Sequence, residues 1–264
     1  MRELERDLPT DAARHDATLP PLAVIGAGRV GSSIAAAAQR AGADTRLAGR
    51  EHALDACQDA EAALLCVPDA AIGAAARAIA PAVPPLRFVG HVSGASGLEA
   101  VAAAGAPGSF SLHPLQTVPD AGADFTGAPC AIAGSDAEAL ELARALAELV
   151  GMRPFEVPEE HRAAYHAAAS IASNFLVALE ESAAALLESI GVDEARELLS
   201  PLVLRSAANW SERGAAALTG PIARGDEATV ARHLESLHAR APELVPLYTA
   251  LAERARAIAH EAKR

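Results

Sequence analysis

The chain has 264 residues, enough for one large domain or two ordinary ones with a sizeable core. Its formal net charge of −12 excludes a general nucleic-acid-binding surface and a polybasic membrane contact. Hydrophobic residues make up 51% but aromatics only 3%, so alanine-rich helices are expected to pack closely through small side chains.

Residues 1–20 read as a charged, proline-containing arm without the apolar core of a signal peptide. From 21 to 157, short apolar runs alternate with helical stretches. Strands are expected in "LAVIGA", "TRLAGR", "EAALLCVPD", "LRFVGHVSG", "GSFSLHPLQTV", "PCAIAG" and "RPFEVP". Helices are expected in "GSSIAAAAQRAGA", "AAIGAAARAIAPAV" and "DAEALELARALAELVG". This alternation predicts an α/β fold with a doubly wound parallel Rossmann sheet. From 158 to 264 the period is helical over 159–190, 193–213 and 226–262. Breaks fall at Gly191, at "GPIARGD" and near Pro242 and Pro246, which predicts a smaller all-α domain. No stretch reads as long and apolar enough for a membrane span. Cys57, Cys66 and Cys130 are odd in number and lack metal-ligand spacing. They favour a reducing, cytoplasmic setting and no metal site.

Between the first strand and helix, Gly26, Gly28 and Gly31 form G-x-G-x-x-G. In a dinucleotide-binding turn the first glycine permits the tight turn, the second lets the backbone approach the pyrophosphate, and the third allows close helix–strand packing. Arg29 and Val30 lie inside the motif. At the end of the second strand an acidic residue would bind the ribose of NAD. Here Ala48, Gly49 and Arg50 stand instead. An arginine pairs with a 2′-phosphate, so the expected cofactor is NADP(H); the bland alternative is that Arg50 is a solvated surface charge. After the third strand, Val67, Pro68 and Ile72 are placed to line the nicotinamide ribose, and Asp69 to cap the next helix.

Further along, "HVSG" and "SLHPLQT" bring His91, Ser93, His113 and Gln116 to the presumed ligand edge. Reduction of a C=O or C=N group needs a proton donor and groups that polarise the acceptor, roles that histidine and serine fill. Each histidine has the alternative of satisfying buried backbone. In "AAYHAAASIASNFLVA", His166, Ser170 and Asn174 share one helical face, with Ser173 beside them. That stripe is either a site or a hydrogen-bonded interface. Arg205 and Asn209 share a later face, and Arg224 sits in "LTGPIARGD". These offer partners to a substrate carboxylate. Gly225-Asp226 before a helix has the form of an N-cap.

Taken together, "GAGRVG", "CVPDAAI", "HVSG", "SLHPLQT", "YHAAASIASN" and "LTGPIARGD" make residues 20–260 resemble a family of Rossmann-like NADP oxidoreductases. These carry a C-terminal helical domain of unknown function and are often labelled deazaflavin-dependent NADP oxidoreductase-like. The plan is similar to ketopantoate reductase, pyrroline-5-carboxylate reductase and the β-hydroxyacid dehydrogenases, with a 6-phosphogluconate dehydrogenase-like C-terminal domain. In two of those groups a lysine on the first helix of the second domain donates the proton. Aligned by that helix, His166 stands in its place, with Ser170 and Asn174 following. His113-Pro114 resembles the His-Pro of prephenate dehydrogenases.

The resemblance implies a cytoplasmic, homodimeric NADPH-dependent reductase of a small oxo- or imino-acid, ketopantoate first. Neither nucleic acid nor membrane is an expected partner. His166, His113, Ser93, Asn174 and Ser170 are the catalytic candidates, and Arg205, Asn209, Arg224 and Gln116 the substrate-binding ones. Gly26, Gly28, Arg29, Val30, Gly31, Arg50, Val67 and Pro68 are expected to hold the cofactor. The rival is a non-catalytic NADP sensor or partner-binding protein, favoured by the missing lysine.

Overall fold

The computed structural model describes residues 19–262, so positions 1–18 of the expected arm lie outside the described residues. The described chain forms two compact units, one ending at Ala169 and the other starting at Ser170.

The first unit is built on a seven-stranded sheet, β1 (Leu22–Ile25), β2 (Thr45–Ala48), β3 (Ala62–Leu65), β4 (Phe88–His91), β5 (Gly108–Pro114), β6 (Pro129–Gly134) and β7 (Arg153–Glu156). The order is β2-β1-β3-β4-β5-β6-β7. Strands β1, β3 and β4 are buried at every position. That is why they read as unbroken apolar runs rather than alternating ones: helices cover both faces of the sheet. Along β1 the side chains still divide by face. Leu22 and Val24 join one core with Ile34, Ala35 and Ala38 of α1 (Arg29–Arg40) and Leu142 and Leu146 of α4 (Ala137–Leu149). Ala23 and Ile25 join the other core. There they meet Ala53 and Ala56 of α2 (Ala53–Ala56) and Ile72, Ala76 and Ile79 of α3 (Ile72–Ile79).

The expected parallel, doubly wound sheet is present, with one reversal. Strands β1 to β5 are parallel, but β6 pairs antiparallel with β5, and β7 runs parallel to β6. The physical reason is the connection. A parallel return needs a crossover, usually a helix, and residues 115–128 contain none. The β6–β7 link does contain one, α4, and those two strands are parallel.

Helix α5 (Arg162–Ala172) follows β7 through a short 3₁₀ turn at Glu159–His161. The second unit continues with α6 (Asn174–Glu188), α7 (Ala195–Arg213), α8 (Pro221–Arg224), α9 (Glu227–Arg240) and α10 (Val245–Glu261). The helix expected to run unbroken over 159–190 is interrupted at Ser173, whose φ of −123° and ψ of −76° leave the α region. The predicted cap at Asp226 is present. Its carboxylate accepts from Thr229 N at 3.0 Å and Thr229 Oγ1 at 2.8 Å.

One further expectation is corrected. By length and composition alone, the helical run Glu159–Glu188 passes as a membrane span, with a mean hydropathy of 1.3 in its most apolar window. Alanines together with Ile171, Phe175, Leu176, Val177 and Leu179 raise that value, and all five of those larger side chains are exposed.

Candidate functional site

The glycine turn has three distinct geometries. Gly26 has φ of +118°, and a Cβ there would lie 2.2 Å from the Cys66 carbonyl oxygen. No L side chain fits. A Cβ on Gly31 would meet the Gly26 carbonyl oxygen at 2.0 Å, so helix and turn touch backbone to backbone. A Cβ on Gly28 would meet nothing within 4 Å. That glycine keeps open the space that a ligand backbone or phosphate would approach. Gly28 is also the N-cap of α1, with no side-chain cap and no acidic residue in the first turn. An uncapped helix start presents free N–H groups and the positive end of the dipole, which suits an anion. These features fit a dinucleotide pyrophosphate.

Arg50 begins a 3₁₀ turn two residues after β2, and the Gly26 amide donates to the Ala48 carbonyl at 2.8 Å. The end of β2 is thereby tied to the glycine turn. Arg50 is exposed and has no ion-pair partner among the described residues. Arg29 is also exposed, and its Nη1 donates to the Pro119 carbonyl at 3.2 Å. Val30 packs against the core, as does Val67, while Pro68 is exposed. Ile72 is 1% exposed, so it serves the core rather than lining a ligand. Asp69 does not cap the next helix. The chain enters through Pro68, which puts Asp69 inside the 3₁₀ turn Asp69–Ala71 instead of before it.

The link between β5 and β6 lies against α1. Buried Ser33 donates to the Arg29 carbonyl at 2.7 Å and accepts from Gly122 N at 2.9 Å and Ala123 N at 3.0 Å. Gln116 is committed within the same link, donating to the Asp124 carbonyl at 2.9 Å.

Beyond the carboxyl edge of the sheet stands a polar cluster. His91 is fully buried. Its Nδ1 accepts from Ser93 N at 3.2 Å, which leaves Nε2–H to donate to the Gly97 carbonyl at 3.1 Å. Burial lowers its pKa. His91 therefore shapes the loop after β4, the structural alternative weighed from the sequence. Ser93 is used similarly: its hydroxyl accepts from Ala95 N at 3.2 Å and Ser96 N at 2.9 Å and donates to Ser96 Oγ at 3.0 Å.

Arg162 fastens this loop to α5. It is 2% exposed, and its Nε donates to Glu159 Oε1 at 2.8 Å, its Nη1 to the Ser93 carbonyl at 3.1 Å, and its Nη2 to Ser111 Oγ. Glu159 in turn accepts from Leu98 N at 2.8 Å. The buried cation is thus paired and hydrogen-bonded on all sides, as burial demands.

His113, at the end of β5, lies next to this clasp. Its Nδ1 is 2.7 Å from Tyr165 Oη, and the two rings meet edge-on at 5.6 Å. The His166 ring stands 6.2 Å from His113, also edge-on. A Cβ on Gly94 would lie 2.8 Å from His113 Nε2 and 2.9 Å from His166 Cδ2, so both imidazoles close on a buried glycine where no larger residue fits. Burial, then the neighbouring His166 and Arg162, push His113 down to about 4. Burial pushes Tyr165 up to about 12. At neutral pH the pair is therefore a neutral imidazole beside a neutral phenol. Burial likewise pushes Cys66 and Cys130 up to about 12 and Cys57 to about 11, which keeps all three thiols protonated and inert.

The first unit thus gathers His113, His166 and Ser93 of the expected catalytic set. Ser170 is half-buried on α5, and Asn174, the first residue of α6, is exposed and near Ser173 Oγ at 2.8 Å. The break at Ser173 interrupts the face those residues share with His166. On α7, Arg205 is exposed and Asn209 half-buried; Arg224 is exposed at the end of α8. Sequence reasoning missed Tyr165, Arg162 and Glu159. The signal was present: the stripe of His166 and Ser170 extends one turn back to Arg162, and Glu159 to Arg162 is an i, i+3 ion pair.

The architecture is a Rossmann-type fold, a mostly parallel sheet followed by a helical unit. A protein from Thermotoga maritima, TM1727, is similar at a TM-score of 0.75, with 23% identity over 92% of this chain and 100% of its own. A candidate NADP oxidoreductase from Bacteroides fragilis, BF3122, gives 0.73, with 23% identity over 90% and 98%. A reductive aminase from Aspergillus terreus, solved with NADPH and ethyl levulinate, gives 0.64, with 18% identity over 90% and 94%. No curated protein matches the sequence. Residues 128–255 match the family described as a domain of unknown function, DUF2520. That match spans β6, α4 and β7 of the sheet unit as well as most of the helical unit.

Proposed function

We propose that this chain is a reductase that uses NADPH on a small oxo- or imino-acid, with ketopantoate the first substrate to try. The observation that carries the reading is Arg50, an exposed cation without an ion-pair partner among the described residues, two positions after a β2 end that is tied to the glycine turn through Gly26. A carboxylate there would repel a 2′-phosphate, whereas a guanidinium pairs with it. Gly26, Gly28 and Gly31 would admit the pyrophosphate, and Arg29, Val30, Val67 and Pro68 would flank the nucleotide. Bound NADPH would supply a hydride. This chain's own part is to hold the acceptor outside the carboxyl edge of the sheet, with His113 and His166 as the polar groups assigned to it.

The reading includes a cytoplasmic homodimer joined through the helical unit. Its support is the large apolar side chains that unit exposes: Phe175, Val177, Leu202, Leu204 and Trp210 are each more than 60% exposed. Exposed apolar patches of that kind mark association surfaces.

The test is a fluorescence titration of NADPH and NADH, followed by a panel of oxo-acids read by loss of reduced-nicotinamide absorbance. NADPH binds more tightly than NADH, and Arg50→Asp reverses the preference, lowering NADPH affinity about 10- to 100-fold, the worth of a charge-assisted pair. Unchanged NADPH affinity in Arg50→Asp refutes the role of Arg50. The second reading, an NADP-binding sensor, is favoured by His166 where related reductases carry lysine. NADPH binding without turnover on any acid would support it.

A further inference from the structure

We propose that Tyr165 and His113 form a proton relay in which His113 Nε2–H is the donor to the reduced acceptor and Tyr165 refills His113 through Nδ1. This rests on the reductase reading above and assigns a role to a residue that reading leaves idle.

His113 projects beyond the carboxyl edge of the sheet, since Ser111 is level with His91, Leu65 and Ile25, and His113 follows two residues later. Ligands of such sheets bind outside that edge. Its two nitrogens face different partners. Nδ1 meets Tyr165 Oη at 2.7 Å, and Nε2 lies at the Gly94 wall beside His166. A phenol that donates to Nδ1 fixes the proton of a neutral imidazole on Nε2. The tyrosine ring is itself held, edge-on to Phe155 at 6.0 Å and to His113 at 5.6 Å.

The chemistry then constrains the role. The charged and titratable groups facing His113 are His166, Arg162, Asp69 and His91, with Cys130 adjoining the pair at Tyr165. Burial and the cationic Arg162 keep His113 unprotonated at neutral pH, so it has no imidazolium proton to give. Donation from a neutral imidazole alone would leave an imidazolate. A phenol at Nδ1 avoids that. As a hydride from NADPH reaches the acceptor carbon and its π bond opens, the acceptor oxygen or nitrogen takes the Nε2 proton. Nδ1 takes the Oη proton in the same event, so His113 stays neutral and Tyr165 becomes a tyrosinate. Half-buried Tyr165 then recovers a proton from solvent. The products are NADP⁺ and the reduced acid, and no charge remains on the protein.

The experiment has two arms. Long-range ¹⁵N–¹H correlation of the histidines at pH 7, on the full chain with and without NADPH, is expected to show His113 neutral with its proton on Nε2. In Tyr165→Phe, which keeps the ring and removes the hydroxyl, that signal moves to a tautomer mixture. A proton on Nδ1, an imidazolium, or no change in Tyr165→Phe overturns the relay. In the second arm, NADPH and the oxo-acid panel beginning with ketopantoate give kcat. Tyr165→Phe and His113→Asn each lower kcat by about 100-fold or more, the usual worth of positioned proton transfer, with NADPH affinity unchanged. Wild-type turnover by Tyr165→Phe overturns the relay and leaves the reductase reading intact. Failure of the wild type to bind NADPH overturns the reductase reading instead. Binding without turnover on the whole panel counts against both.

Discussion

Acidification should unfold this protein in part through His113, and the size of that effect follows from its burial. The ring is ordinary at 6.5 when the chain is unfolded and about 4 when folded. Above 6.5 neither state binds a proton there, and the residue contributes nothing to the pH dependence. Between 6.5 and about 4 the unfolded state binds a proton that the folded state refuses, so stability falls as pH falls. Below about 4 both are protonated and the loss is complete. At about 1.4 kcal/mol per pH unit, the span corresponds to roughly 3 kcal/mol. His113→Asn removes the titration while keeping an oxygen near Nδ1 for Tyr165 to donate to. Urea unfolding of both proteins at pH 7 and pH 4 measures the difference. The wild type should lose roughly 3 kcal/mol more than the variant over that interval. His91, Asp124, Asp136 and Asp226 are also shifted but are present in both proteins, so they cancel. Equal losses in the two proteins would refute the claim that His113 is buried neutral.

Gly28→Ala meets nothing within 4 Å, so its melting temperature should match the wild type while NADPH affinity falls at least about tenfold. Gly31→Ala forces a Cβ to 2.0 Å from a backbone oxygen, so it should lose both affinity and about 1–3 kcal/mol of stability; equal behaviour of the two variants would refute the division of roles. Arg162→Met leaves the Ser93 carbonyl and Ser111 hydroxyl without their donor and should destabilise by about 2–4 kcal/mol in chemical denaturation, whereas a loss below about 1 kcal/mol would deny the clasp its role. Ser33→Ala releases the Gly122 and Ala123 amides and should speed hydrogen exchange in residues 115–128 while leaving β1 and β3 protected.

Much of this molecule is written in local sequence. The central strands β1 and β3 were legible because a doubly covered parallel strand must be apolar throughout, as "LAVI" and "AALL" are. The glycine turn was legible because its spacing is fixed by two positions, Gly26 and Gly31, that admit only glycine, with Gly28 between them leaving open space before the helix. The Asp226 cap was legible because a cap is a contact across three residues. The tertiary structure alone decided the rest. The reversal of β6 depends on where a helix-free link can return. The break at Ser173 lies in a segment whose local periodicity reads as continuous helix. Arg162, Ser93, Ser111 and Glu159 become one clasp only when residues up to 69 positions apart are brought together. The pairing of His113 with Tyr165 spans 52 positions. Sequence records which groups are available and which local geometry each permits. Which proton a histidine carries is set by burial and by a partner that folding alone supplies.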